Sequence, residues 1–123
     1  MKVIFLTKPT TTVTISSSGE FVPIGGTNWA NSVISKFSST NAGLSTFLSE
    51  RQSNAFIIAT ATVEKSGGGS DTICMRIAIN GITLAKTESC TDNQTPTSIV
   101  SQAVVLLSEG DTIQLYVDNQ DTC

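Results

Sequence analysis

Apolar and polar residues alternate along much of this chain, and a period of two marks strands with one face turned to a core. Phe56–Val63 sets Ile57, Ala59, Ala61 and Val63 on one face and Phe56, Ile58, Thr60 and Thr62 on the other. Ile73–Ile79 places Ile73, Met75, Ile77 and Ile79 together, and Asn80-Gly81 follows. Asn-Gly favours a type I′ hairpin turn, because both residues tolerate positive φ. The turn predicts a return strand Ile82–Thr87, with Ile79 opposite Ile82 and Ile77 opposite Leu84. The same register puts Arg76 beside Ala85 and Cys74 beside Thr87. Ile99–Leu107 is apolar on both faces: Ile99, Ala103, Val105 and Leu107 on one, Val100, Val104 and Leu106 on the other. After the Glu109-Gly110-Asp111 turn, Thr112–Val117 alternates with Ile113, Leu115 and Val117 inward.

The first half is less regular. Lys2–Leu6 is a short apolar run, and Thr11–Ser16 alternates around Val13 and Ile15. Gly19 and Pro23-Ile24-Gly25-Gly26 punctuate the chain. Thr27–Asn54 scatters its apolar residues, which predicts irregular strands and loops with room for one helical turn. Ser66–Ser70 reads as a flexible loop, Cys90–Pro96 as a polar loop and Asp118–Cys123 as a polar tail. No repeat or internal boundary appears. The expectation is one all-β domain over residues 1–123, an antiparallel β-sandwich with residues 1–9 as an N-terminal strand or arm.

Composition sharpens this picture. Ser and Thr make up about a quarter of the chain, well above ordinary usage. Thr suits strands and Ser suits turns. Charged residues are only 14%, against roughly 25% in ordinary domains. Such a surface is decorated with hydroxyls or covered by partners. The net charge of -3 supplies no basic patch for phosphates, so nucleic acid is not an expected partner. The chain has no histidine, which removes Ser-His-Asp, Cys-His and His-metal chemistry. The apolar run Val3–Leu6 is too short for a signal-peptide core or a membrane span, so neither secretion by such a signal nor membrane insertion is expected. Cys74, Cys90 and Cys123 are an odd set without CxxC spacing. Free thiols are expected, with a bridge to Cys123 as the alternative.

Phe56–Val63, then Ile73–Gly81, then the segment from Val105 to Leu115 together resemble the C1q/TNF-like jelly roll. In that family an aromatic-led strand precedes a strand ending in Asn-Gly, and a Leu-rich strand with a Gly-Asp turn follows. Val105, Leu107, Gly110, Asp111, Ile113 and Leu115 match that last element. The resemblance covers about half the chain, and its specificity lies in order and spacing. It implies a jelly roll that assembles as a homotrimer and binds proteins, glycans or virion surfaces. The viral versions fit best, which implies a non-enzymatic virion structural protein: capsid decoration, cement or a spike component, assembled in the host cytoplasm with other virion proteins. The alternative is a receptor- or glycan-binding head of a phage fibre, and a small glycan-active enzyme is more remote.

The resemblance assigns the outward faces of two strands to subunit contacts: Phe56, Ile58 and Thr60 on one, Gln102, Val104 and Leu106 on the other. The family carries a further apolar strand after the segment matched by Thr112–Val117. Val3, Ile4, Phe5 and Leu6 are therefore the candidates for a sheet-completing or inter-subunit strand. Trp29 reads as core or interface in preference to a stacking platform. Asp118, Asn119 and Asp121, and likewise Asp92 and Asn93, carry oxygen ligands of the calcium type but read as solvated polar segments. The Asn93-Gln94-Thr95 sequon is followed by Pro96 and is discounted. No catalytic, cofactor or metal residues are assigned.

Overall fold

A computed structural model describes residues 3–7, 20–24, 30–35, 37–39, 44–63, 71–93 and 97–119. Thr11–Ser16, Trp29, Ser66–Ser70, Asp121 and Cys123 lie outside them. The described residues are almost entirely β. The strands are β1 (Val3–Thr7), β2 (Val22–Pro23), β3 (Ala30–Ser35), β4 (Phe37–Ser39), β5 (Ser45–Phe47), β6 (Ser53–Val63), β7 (Asp71–Ile79), β8 (Ile82–Thr83), β9 (Ser89–Asn93), β10 (Thr97–Leu107) and β11 (Thr112–Asn119). Every pairing is antiparallel. Of the scattered apolar residues of Thr27–Asn54, Val33 and Ile34 fall on β3, Phe37 on β4 and Phe47 on β5, Leu44 and Leu48 flank β5, and no helical turn forms among the described residues of that span.

The main sheet runs β4-β5-β11-β7-β8, with β2 also on β11 and β9 also on β7. β6 and β10 pair with each other along 11 residues each, and β1 with β3, in two further sheets. The β6–β10 pair lies over the main sheet as a second layer. Phe37, Phe47 and Leu107 form the buried centre, and Ala55, Ile79, Val105 and Ile113 pack against it. The Phe37 and Phe47 rings stand 5.3 Å apart between centroids, a tilted contact that aromatic quadrupoles favour. Farther along, Ser101 Oγ on β10 donates to the Met75 carbonyl on β7 at 3.2 Å, inside the sandwich. The architecture is all-β, antiparallel and sandwich-like.

The Asn80-Gly81 turn forms with φ of 53° and 80°, and Ile79 faces Ile82. The return strand is much shorter than the expected Ile82–Thr87. Leu84 N–H still donates to the Ile77 carbonyl at 2.9 Å, but Ala85–Thr87 is a 3-10 turn. The buried Thr87 explains how the chain leaves the ladder without stranding backbone groups. Its hydroxyl accepts from Ile77 N–H at 2.9 Å and donates to the Leu84 carbonyl at 2.7 Å. The three-residue turn then advances the register by three. Met75 faces Ser89 and Cys74 faces Cys90, so the expected pairs Arg76/Ala85 and Cys74/Thr87 do not form. The segment expected as a polar loop from Cys90 therefore begins as strand, with β9 extending to Asn93.

Two more expectations are corrected on the same sheet. Cys74 and Cys90 are joined in a disulfide, not free and not bridged to Cys123. Asp118 is not part of a solvated tail: it continues β11, faces Cys74 across the ladder and is fully buried. Cys74 and Ala78 are buried too, so β7 is covered on both faces. The N-terminal run is a strand, Val3–Thr7, and its partner is β3.

Candidate interaction face

β6 and β10 carry the residues expected at a subunit interface. Their register sets Phe56 opposite Val104, Ile58 opposite Gln102, and Thr60 opposite Val100. Leu106 faces Asn54 at one end, and Ser98 faces Thr62 at the other. The last pair shares a hydroxyl hydrogen bond of 3.1 Å. Because successive side chains point to opposite faces of a strand, all ten of these residues share the outward face. Phe56, Ile58, Thr60, Gln102, Val104 and Leu106 are thereby brought together on one surface, and every one of them is exposed.

Large apolar side chains stand on both faces of this layer, and only the inward set meets the core. On β6 the half-buried inward positions include Ala55, Ile57, Ala59, Ala61 and Val63, while the outward positions hold Phe56 and Ile58 beside Asn54, Thr60 and Thr62. On β10, Ile99, Ser101, Ala103, Val105 and Leu107 point inward while Val100, Val104 and Leu106 point outward. The outward residues are 63% (Phe56), 59% (Ile58), 48% (Val100), 55% (Val104) and 57% (Leu106) exposed. Single exposed apolar residues are ordinary on any surface, but a contiguous patch marks an interaction site. Fully burying a Val, Leu, Ile or Phe gains about 1.5–3 kcal/mol. Covering the exposed half of these five side chains therefore offers on the order of 5 kcal/mol per subunit.

Neither strand contains an ionisable residue over its full length. The face is thus electrically neutral at any pH. It offers no carboxylate for acid–base work and no cation for an anionic ligand. Its polar groups are the hydroxyls and amides of Asn54, Thr60, Thr62, Ser98 and Gln102, which hydrogen-bond equally well to water or to a partner. Resemblance assigned six of its positions. Val100, between Thr60 and the chain's other apolar outward positions, is the large residue that assignment left out, although its place in the alternation was plain.

The charged groups of the main sheet lie elsewhere. Arg76 donates from Nε to Glu88 Oε1 at 2.9 Å and from Nη1 to Thr83 Oγ1 at 3.3 Å. Its guanidinium also stands 4.3 Å from the centroid of the Phe21 ring, within cation–π range. At the sheet end, Asp111 accepts from Ser108 N–H at 2.8 Å and from Asn80 Nδ2 at 3.0 Å. Those two bonds, the Asn80 bond foremost, hold its carboxyl below the ordinary carboxylate range. Asn80 Oδ1 in turn accepts from Thr112 N–H at 3.0 Å. This knot fixes two turns against each other. Among the described residues no helix is long and apolar enough to cross a membrane.

No model of a known protein family matches this chain, and no curated protein matches it.

Proposed function

We propose that this protein is a virion structural component, a capsid decoration, cement or spike subunit, that works by self-assembly and protein–protein binding. The neutral apolar face of β6 and β10 carries this reading. A contiguous surface that turns Phe56, Ile58, Val100, Val104 and Leu106 outward, with no charged residue among them, suits a protein partner. The jelly-roll resemblance supports a trimer as the assembled form, with this face as the contact between copies. A neutral face suits another neutral face, because neither side has charge to desolvate. The low charge and high hydroxyl content of the chain agree with a surface crowded by neighbouring subunits. The test is expression beside the structural proteins of its virus, followed by gradient purification of particles. The protein is expected in the particle fraction in many copies. Its absence from washed particles would overturn the virion assignment.

A further inference from the structure

The Cys74–Cys90 pair is more than a single covalent link. Glu88 and Cys90 flank Ser89, and the extended backbone of Glu88 (φ -62°, ψ 131°) turns both side chains to the same side. Cys74 reaches that side from β7, directly across the ladder from Cys90. Both sulfurs and a carboxylate oxygen of Glu88 lie within 4.8 Å of one another. Tetrahedral zinc at about 2.3 Å from each sulfur needs its thiolates only about 3.8 Å apart. Cys74 is buried while Cys90 and Glu88 are exposed, so one wall of the cluster lies inside the fold and the other is open to solvent.

We propose that the reduced pair, Cys74 and Cys90, binds a zinc-type divalent ion together with Glu88, so that β7 and β9 are fastened by a disulfide when oxidised and by a metal when reduced. A dithiol or phosphine reductant supplies the two electrons that break the S–S bond, and each sulfur takes up a proton. On metal binding each thiol returns its proton to solvent, and two Zn–S bonds and one Zn–O bond form. Water completes the tetrahedron. Two thiolates and a carboxylate on a dication leave one net negative charge, and Arg76 stands beside it. Both close contacts of Arg76 to Glu88 fall on Oε1, Nη2 at 2.8 Å and Nε at 2.9 Å. The carboxylate therefore keeps a second oxygen for the metal. Should Arg76 be displaced, Thr83 and the Phe21 ring still hold it. Soft thiolates select zinc over magnesium or calcium.

The full chain carrying Cys123→Ser, reduced with a phosphine under anaerobic conditions, is titrated with Co2+ and then Zn2+. A thiolate-to-cobalt charge-transfer band is expected, lost on adding Zn2+ and lost in Cys74→Ser. Glu88→Gln is expected to weaken Zn2+ binding by about tenfold or more, comparable at least to the loss of an outer-shell partner. If reduction loosens the fold, Zn2+ is expected to raise the melting temperature of the reduced protein, since metal binding then adds to folding. A reduced protein with no charge-transfer band, or one that melts at the same temperature with and without Zn2+, overturns the proposal. An affinity unchanged by Glu88→Gln overturns the three-ligand site.

Discussion

Phe56 and Val104 lie directly opposite each other on β6 and β10, and both are more than half exposed. Cross-strand neighbours of this kind cover each other's edges but leave their outer surfaces to whatever packs on the sheet. Their inward neighbours Ala55 and Val105 meet the core. The pair thus marks a separation along the same backbone, with the inner face on the core and the outer face open to solvent.

Val104→Asp follows from that separation. The side chain touches solvent in the lone subunit, so the fold of the dissociated protein is expected to change by no more than about 0.5 kcal/mol. Buried between copies, the carboxylate would be an unpaired charge in a dry contact and would block association. Chemical cross-linking beside a urea melt separates the two effects: cross-linked oligomers are expected to vanish while the melt of the diluted protein holds.

Gly81→Val tests the turn that starts the short β8 return. Gly81 sits at φ 80°, where a β-branched residue is strained. A loss of about 1–3 kcal/mol is expected, read as a lower melting temperature. Gly81→Ala is expected to lose less, because it lacks the second branch at Cβ.

The disulfide joins Cys74 and Cys90 across a sequence separation of 16. A loop of about that length adds roughly 3 kcal/mol by limiting the unfolded chain. Non-reducing peptide mapping is expected to recover the 74–90 linkage, and metal-free reduction is expected to lower the denaturant midpoint accordingly.

Asp111 gives a pH dependence with a definite sign. Its carboxyl is held below the ordinary range by Asn80 and by Ser108 N–H, so the folded state favours the ionised form. The resulting stability is present above the unfolded-state pKa and is lost as pH falls through the lower folded-state value. Because the group is only partly covered from solvent, the effect is small. Urea melts of the native protein and of Asp111→Asn from pH 7 to pH 3 are expected to converge at the acid end. A constant gap would remove the carboxylate from the account.

The alternation of β6, β7, β10 and β11 was legible because period-two patterning directly encodes which face meets a core. Asn80-Gly81 was legible because its backbone chemistry is local. The 3-10 turn at Ala85–Thr87 was not, since nothing in Leu84–Thr87 breaks a strand by itself. It depends on Thr87 finding Ile77 N–H across the ladder, a tertiary contact. That one missed turn hid the rest: without a shift of three residues Cys90 cannot face Cys74, and the disulfide stays invisible. Asp118 was misread for a related reason. A carboxylate near a polar stretch looks solvated until β7 and β11 are seen side by side. The apolar outward face of β6 and β10 was visible in the sequence, but its exposure emerged only once the opposite face was seen against the main sheet.

Sedimentation equilibrium of the oxidised 123-residue chain at micromolar concentration tests the assembly reading most directly. The β6–β10 face is expected to hold three copies together, giving a single species near three times the 12.9 kDa chain mass. A monomer that stays monomeric across the concentration range would contradict it.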